Sequence, residues 1–154
     1  MEKRQIDTGA YVSVLRELVE EGREVSMTIS GNSMSPFLVH ERDLIYFCSP
    51  ERDLRKVDMV IYLRDNGQYV MHRIVRVTPQ GYDITGDAQY VIEQNVRRDQ
   101  IFARITKVKR KGKWIGPGNF WWEFFEHVWI RIIPLRRPLV AAYTALCRKK
   151  GVKA

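Results

Sequence analysis

The apolar positions of the chain follow three patterns in succession, and each pattern indicates a different kind of structure. From about Thr8 to Glu21, apolar residues recur every three or four positions, which is the spacing of one face of an α-helix. Gly22 follows directly and is typical of a helix end. We therefore expect one short amphipathic helix near the N-terminus. Its apolar face would consist of Val12, Leu15, Leu18 and Val19.

After this helix, the chain changes to short runs that are rich in β-branched and aromatic residues and are separated by polar breaks. Between the third and fourth runs stands Asp65-Asn66-Gly67, a sequence that favours a tight two-residue hairpin turn. No helical pattern of the kind that a parallel βαβ sheet requires separates the runs. The sequence predicts a mainly β fold with an antiparallel sheet of six strands. These strands would begin near Val25, Leu44, Val57, Tyr69, Tyr82 and Ile101.

A third pattern occupies residues 116–154, where aromatic and aliphatic residues return to helical spacing. Pro134 and Pro138 bracket a predicted bend, and Leu139 to Lys150 can form a second helix. We therefore divide the chain into a β domain with its N-terminal helix, residues 1–115, and an appended helical tail. The apolar face of the first tail helix would consist of Trp121, Phe124, Phe125, Val128 and Ile132.

Charge is distributed unevenly along the chain, which carries a formal net charge of +8. Residues 104–154 hold 13 lysines and arginines against Glu123 and Glu126, a balance of +11, which leaves −3 for residues 1–103. A basic tail on a slightly acidic body indicates an anionic partner, either a lipid surface or a nucleic acid.

The apolar face of the tail allows two interpretations, and the sequence leaves both open. The face can pack onto the β domain or onto a second copy of the protein, or it can lie in an anionic membrane surface. The charge-free stretches are shorter than the roughly 20 residues that span a bilayer, so we expect no transmembrane helix. Nucleic acid is the weaker partner, because the sequence has no base-reading motif. The basic residues that flank the apolar face are Arg136, Arg137, Arg148, Lys149 and Lys150.

The N-terminus and the cysteines indicate the cellular setting. The N-terminal stretch contains acidic residues and has no uninterrupted apolar core, so we expect no signal peptide and a cytoplasmic or peripherally membrane-associated protein. Cys48 and Cys147 fit neither a disulfide framework nor a zinc site, and we interpret both as free thiols. We expect no cofactor and no metal ion.

Three polar residues in the β domain carry the candidate chemistry. Ser33 lies in the turn sequence SGNSMSP and needs a base within hydrogen-bond reach, because a serine hydroxyl is a weak nucleophile at neutral pH. His72 lies inside the run YVMHRIVRV, on the same face as Val70 and Ile74. Asp87, in the Gly-Asp pair of ITGDAQ, can orient a histidine and stabilise its charged form. Taken singly, each of these residue types is more often structural than catalytic.

Together, these segments resemble type I signal peptidases and their relatives, among them the self-cleaving repressors of the SOS response. SGNSMSP, VMHRIVRV and GYDITGDAQ are similar to the nucleophile box, the base strand and the Gly-Asp box of that family, over roughly Val25 to Val108. Most bacterial members have a lysine where this chain has His72, so the resemblance is to the branch that works with serine and histidine. It implies an antiparallel β domain of that family's type, with Ser33 as nucleophile, His72 as general base and Asp87 as acid.

The resemblance also implies roles for neighbouring residues. Glu93 stands where some members of this branch have a second aspartate, and it is the alternative acid. Many relatives have a hydroxyl-bearing oxyanion donor where this chain has Gly31. The oxyanion would therefore rest on the backbone N–H of Ser33, helped by Asn32 or Ser30.

Two turns depart from the family, which often has Gly-Asp where this chain has Arg42-Asp43 and Val57-Asp58. The membrane anchor of signal peptidases has no counterpart in the sequence. We predict a serine endopeptidase that removes a leader or signal peptide from a precursor protein through an acyl-enzyme. The alternative is a catalytically weak or inactive module of the same fold that binds a peptide or a membrane.

Overall fold

The computed structural model describes residues 8–151. The first seven residues of the predicted β-domain segment and the last three of the predicted tail lie outside the described residues. Helix α1 spans Thr8–Glu20, which confirms the prediction from apolar spacing. Gly22 follows with a φ of 86°, and its N–H donates to the Val19 carbonyl at 2.9 Å. This left-handed conformation favours glycine, because a Cβ would crowd the backbone.

Within residues 8–151, eight strands pair into one antiparallel sheet, which confirms the predicted mainly β fold. The strands are β1 Val25–Thr28, β2 Leu44–Cys48, β3 Met59–Leu63, β4 Tyr69–Thr78, β5 Gly81–Thr85, β6 Glu93–Val96, β7 Ile101–Arg110 and β8 Lys113–Ile115. A 3-10 turn over Arg98–Gln100 precedes β7. The strand order is β1-β2-β7-β3-β4-β5-β6, and β8 pairs with β7. In this order β1 stands at one end of the sheet and β6 at the other.

Two short strands are absent from the sequence-based prediction. β6 is polar except for Val96, so it shows no apolar alternation, and it forms because Val96 and Glu93 pair with residues of β5. β8 has three residues and follows a turn at Gly112, where φ is 77°. Of the two, β6 carries Glu93, which the sequence analysis names as the alternative acid.

The predicted pairing of β3 with β4 is confirmed, but the turn that joins them is longer than expected. The Arg64 N–H donates to the Gln68 carbonyl at 2.9 Å, so the loop contains three residues between these two. Gly67 alone in this loop has a positive φ, of 83°. The Asn66 side chain instead accepts from the Gln68 N–H at 3.0 Å. A type I turn closed by one left-handed glycine is the usual form of a three-residue hairpin.

The tail contains two α-helices joined by a 3-10 segment. Helix α2 spans Phe120–His127, the 3-10 segment spans Trp129–Leu135, and helix α3 spans Arg136–Lys149. The bend lies at Ile132, where φ is −105° and ψ is 30°. The predicted position of the bend, between Pro134 and Pro138, is therefore wrong: the bend precedes Pro134, and Pro138 lies in the first turn of α3, where a proline removes no helical hydrogen bond.

Two hydrophobic cores lie on opposite faces of the sheet. Side chains alternate along a strand, so Ile61 of β3 joins the main core while Val60 and Tyr62 join the smaller one. The same alternation on β4 directs His72 to the side of Tyr62 and Arg73 to the main core, where its guanidinium lies 5.6 Å from the centroid of the Phe37 ring.

The aromatic face of the tail packs onto the β domain. Trp122, Phe125 and Trp129 are each at most 6% exposed and belong to the main core. The rings of Phe37 and Phe125 lie with centroids 4.6 Å apart. No helix between residues 8 and 151 is long and apolar enough to cross a membrane. The boundary of the two segments at residue 116 stays a prediction.

Val57 has a backbone conformation that glycine would adopt more easily. Its φ is 78°, which is strained for a β-branched residue. Two hydrogen bonds hold it there: its carbonyl accepts from Arg73 Nη1 at 3.1 Å, and its N–H donates to the Ile74 carbonyl at 2.8 Å. Val57 therefore adopts a conformation that favours glycine, and these two hydrogen bonds stabilise it. Arg42-Asp43 is the other place where the resemblance leads us to expect Gly-Asp. In that turn the positive φ lies on Glu41.

Replacement of Val57 by glycine should raise the free energy of unfolding by about 1 kcal/mol, because relief of a strain of roughly 1–3 kcal/mol exceeds the entropic disadvantage of glycine. Val77→Gly is the matched control, since Val77 is 49% exposed on β4 and has no positive φ. The control should lose about 1 kcal/mol. Urea unfolding measures both, and equal losses in the two variants would contradict the strain.

Candidate active site

Ser33 lies in a turn between β1 and β2 that apolar side chains attach to the main core. Met34 and Phe37 are buried in that core, while Ser33 is half-buried beside a cavity. Gly31 begins the turn with a φ of 88°, and its N–H donates to Nδ1 of His40 at 3.0 Å. His40 therefore stabilises the turn.

The Gly-Asp corner touches the backbone of Ser33. The Ala88 N–H donates to the Ser33 carbonyl at 2.8 Å. A Cβ placed on Gly86 would lie 2.4 Å from the same carbonyl oxygen, far inside van der Waals contact. Glycine is thus required at position 86 for space, and the serine turn and the Gly-Asp corner form one unit.

Asp87 pairs with Arg73 in the interior of the protein. Arg73 Nε donates to Oδ1 and Nη2 to Oδ2, both at 3.0 Å, and neither side chain is more than 1% exposed. Such a buried bidentate pair is strongly destabilised when one partner is removed, because the other charge stays uncompensated. Both carboxylate oxygens of Asp87 are thus engaged by Arg73 and not by His72.

Glu93 reaches His72 through the hydroxyl of Tyr62. Nδ1 of His72 lies 3.3 Å from the Tyr62 oxygen, and that hydroxyl donates to the two Glu93 oxygens at 3.0 and 3.1 Å. Because the hydroxyl proton is directed at Glu93, the hydroxyl oxygen accepts from Nδ1–H. This assigns the Nδ1–H tautomer to His72 and leaves its Nε2 lone pair free to accept a proton.

Arg64 fixes the Glu93 carboxylate in this chain of hydrogen bonds. Its Nε donates to Glu93 Oε1 at 2.9 Å, and its Nη2 donates to the same oxygen. Burial acts to raise the pKa of Glu93, but hydrogen bonds from Arg64 and Tyr62 outweigh it and hold this pKa below its usual value. Glu93 is therefore ionised at neutral pH.

His72 is 2% exposed and uncharged at neutral pH. Burial is the main cause that lowers its pKa to about 4, and the positive charge of Arg64 acts in the same direction. The charges of Glu93 and Asp87 oppose this shift only in part. A neutral imidazole is the form that a general base requires.

Ser33 and His72 line the same cavity, which has a volume of about 540 Å³. Within residues 8–151, no hydrogen bond joins the Ser33 hydroxyl to His72. The structure thus brings the predicted nucleophile and base to one cavity without a bond between them. Apolar residues make up much of the remaining wall: Val12, Met27, Ile29, Ile45, Ile61 and Met71.

Two strand edges without a strand partner border the cavity. Among the described strands, β1 pairs with β2 alone. On β4, residues 69–72 pair with β3 alone, because β5 pairs with the part of β4 that begins at Arg73. Met27 of β1 and Val70 of β4 both face the cavity. An extended peptide can therefore find backbone donors and acceptors on either side.

The three predicted oxyanion donors lie at one wall of this cavity. Ser30, Asn32 and Ser33 all line it, and the first two are exposed. The N–H of Gly31 is engaged by His40. In the part of the chain that the structure describes, the N–H of Ser33 has no hydrogen-bond acceptor and remains available to a developing oxyanion.

The tail also contacts the backbone of the Gly-Asp corner. Trp129 Nε1 donates to the Asp87 carbonyl at 2.7 Å, and Arg136 Nη1 donates to the carbonyls of Gly86 and Gln89 at 2.9 and 3.2 Å. Arg136 has no exposed surface. Its assignment to the basic surface of the tail is therefore wrong, because its guanidinium is used inside the protein.

Reasoning from sequence missed Tyr62 and Arg136. Tyr62 lies in an apolar run and resembles an ordinary core aromatic residue. The predicted two-residue turn at Asn66-Gly67 would pair Tyr62 with Met71 and place it on the other face from His72, so the sequence offered no correct signal. Only the observed register, with Tyr62 opposite Val70, brings Tyr62 and His72 to one face. Arg136 has no signal either, because only the packed tail shows that it reaches the corner.

Three side chains of α2 could approach a metal ion, but they are already hydrogen-bonded within the chain. The ligand atoms of Glu123, Glu126 and His127 lie within 4.8 Å of one another. Glu123 accepts from the Gly118 N–H at 2.8 Å and contacts His127 at 3.0 Å, and Glu126 accepts from Trp122 Nε1 at 2.7 Å. These bonds account for the cluster, and we assign no metal site to it.

No protein-family model and no curated protein matches the chain, so comparison with known proteins assigns no role to these residues.

Gly86→Ala should lower the free energy of unfolding by about 2 kcal/mol, because the new Cβ forces the Ser33 carbonyl to move. Gly116→Ala is the matched control, since the nearest atom to a Cβ there is Lys107 Cβ at an ordinary 3.8 Å. The control should change stability by less than about 0.5 kcal/mol. Chemical unfolding of the two variants checks this, and equal stability would contradict the close approach.

The buried His72 should make stability depend on pH between about 6.5 and 4. Because the folded pKa is depressed, the unfolded chain binds a proton in this window before the folded protein does. The stabilisation is complete above pH 6.5 and is lost as the pH falls to about 4, a change of about 3 kcal/mol. Urea unfolding at both ends of the window should show this loss in the wild type and a smaller one in His72→Gln. Equal losses would show that His72 is not the cause.

Proposed function

We propose that the protein is a serine endopeptidase similar to the serine–histidine branch of type I signal peptidases. The observation that carries this proposal is the common cavity of Ser33 and His72, because the Nδ1–H tautomer inferred from the Tyr62 contact leaves Nε2 as the atom of His72 that can accept a proton. An ionised Glu93 supports the proposal, because only the Tyr62 hydroxyl would separate a protonated His72 from the negative charge of Glu93.

The mechanism follows from the protons assigned above. Nε2 of His72 takes the hydroxyl proton as Ser33 Oγ attacks the scissile carbonyl carbon. The tetrahedral oxyanion accepts from the N–H of Ser33, with Asn32 or Ser30 as further donors. His72 then returns the proton to the leaving amine, and an acyl-enzyme remains. Water attacks this ester with His72 again as base, which releases the acid and restores the Ser33 hydroxyl.

In this mechanism Glu93 is the acid and Asp87 is a positioning residue. Glu93 is connected to Nδ1 of His72 by one hydroxyl, whereas Asp87 has both oxygens on Arg73. The hydroxyl of Tyr62 connects His72 to the negative charge of Glu93 and fixes the Nδ1–H tautomer of His72. Asp87 instead holds the corner against the Ser33 turn.

The substrate is an extended leader or signal peptide of a precursor protein. Between the free edges of β1 and of residues 69–72, such a peptide would form main-chain hydrogen bonds by β-augmentation. The apolar wall of the cavity suits small or apolar side chains before the scissile bond. Hydrogen bonds to the backbone fix the register, and the wall selects the side chain.

A second candidate function is peptide binding without cleavage. The absence of a hydrogen bond between Ser33 and His72 within residues 8–151 favours it, because a serine without its base is a weak nucleophile. The same strand edges would hold the peptide in either case.

Labelling with a serine-directed acylating probe, followed by mass spectrometry of precursor peptides, tests the proposal. We expect the wild type to be labelled at Ser33 and to cleave, and Ser33→Ala and His72→Ala to lose at least about 10³-fold in rate. Ser26→Ala and His127→Ala are the matched controls and should react like the wild type. If the wild type neither labels nor cleaves but binds the peptides, the second function is correct.

The same assay distinguishes the two acids. Glu93→Gln and Tyr62→Phe should lower the rate per folded molecule at least about tenfold, because the His72 cation loses its support. Asp87→Asn should instead reduce the free energy of unfolding by about 3–5 kcal/mol, because the charge of Arg73 stays buried and unpaired. A stable Asp87→Asn protein with the larger loss of rate would reverse the assignment.

A further inference from the structure

Helix α3 has an inner face that the protein covers and an outer face that it leaves open. On the inner face, Arg136 and Cys147 are buried and Val140 packs against the main core. On the outer side, Leu139 and Leu146 are 44% and 57% exposed. Exposed leucines on one side of a helix indicate a surface that contacts something else.

The exposed leucines form a continuous stripe. Leu135, Leu139, Ala142 and Leu146 follow one another at spacings of three or four residues, which places them on one side of the helix. All four are exposed. We call these four residues the outer stripe.

The exposed charged side chains of α3, which lie beside the outer stripe, are all basic. The remaining exposed residues of α3 are proline, alanine and the cations Arg137, Arg148 and Lys149. Residues 127–154 contain seven lysines and arginines and no acidic residue. This excess of positive charge is complementary to an anionic surface and repels a second copy of the same helix.

We propose that the outer stripe and its flanking cations bind an anionic lipid surface, with α3 lying parallel to the membrane. Leucines enter the headgroup boundary while arginine and lysine contact lipid phosphates, which is the behaviour of interfacial amphipathic helices. Two tryptophans of the tail, Trp122 and Trp129, lie in the main core and are not available to a membrane. A nucleic acid would use the cations but would leave the leucines exposed.

Co-sedimentation of the full chain with vesicles tests this proposal independently of peptidase activity. We expect binding to vesicles that contain phosphatidylglycerol, weak binding to pure phosphatidylcholine, and release by salt. The variants Leu139→Ser with Leu146→Ser, and Arg148→Gln with Lys149→Gln, should each lower binding about tenfold or more. Ser33→Ala should bind like the wild type.

Matched controls place the same changes elsewhere on the surface. Val14→Ser with Val91→Ser removes exposed apolar residues outside the tail, and Arg55→Gln with Lys56→Gln removes the same charge. Both controls should bind like the wild type, and thermal unfolding checks that all variants fold. If Leu139→Ser with Leu146→Ser unfolds, Arg148→Gln with Lys149→Gln still tests the proposal.

Four results would overturn the proposal. The first is wild-type binding in both tail variants, and the second is equal binding to neutral and anionic vesicles. The third is a dimer, detected by light scattering, that Leu139→Ser with Leu146→Ser dissociates, since the outer stripe would then bind a second copy. Stronger binding to duplex DNA than to vesicles would likewise assign the cations to a nucleic acid.

Discussion

The buried ion pair between Arg73 and Asp87 connects the two halves of the candidate active site. Arg73 follows His72 on β4, and Asp87 belongs to the corner that holds the Ser33 carbonyl. Arg73 also donates to the Val57 carbonyl, so the same guanidinium fixes a third segment. Both side chains are at most 1% exposed, so each charge depends on the other. This mutual dependence keeps the strand and the corner at a fixed distance.

His72 is kept neutral by its surroundings, and this sets the character of the proposed base. A carboxylate in direct contact would raise the histidine pKa, but Tyr62 stands between His72 and Glu93, and Arg64 neutralises part of the Glu93 charge. The result is a base that is unprotonated over a wide pH range but has a low intrinsic basicity. The ionised Glu93 offsets part of this weakness when the imidazole takes up a proton.

Much of the fold follows from local pattern, whereas the site depends on contacts between distant segments. Helix α1 and the longer strands are predicted correctly because their apolar periodicity is set by the cores that they cover. The short strands are not predicted, since β6, for example, has almost no apolar pattern of its own. Ser33 and His72 are found as separate candidates, and only the folded chain brings them to one cavity.

The partners of these residues are harder to predict, because they are chosen by geometry and not by residue type. Asp87 and Glu93 are both acids near the same corner, and the sequence offers no means to tell which one Arg73 takes. Arg136 is one of several arginines in the tail, yet it alone turns inward, to three backbone carbonyls. Charge patterns identify solvated arginines well and buried ones poorly, because burial depends on where the helix packs.

The contact of Arg136 with the corner has a consequence for the order in which the protein is completed. Gly86 and Gln89 leave the ribosome long before the residue that holds their carbonyls. The serine turn, the strands and the corner can therefore assemble while the corner still lacks its inner support from Trp129 and Arg136. The corner therefore receives these hydrogen bonds only after residue 136 has been synthesised, and the nascent chain lacks them for most of its translation.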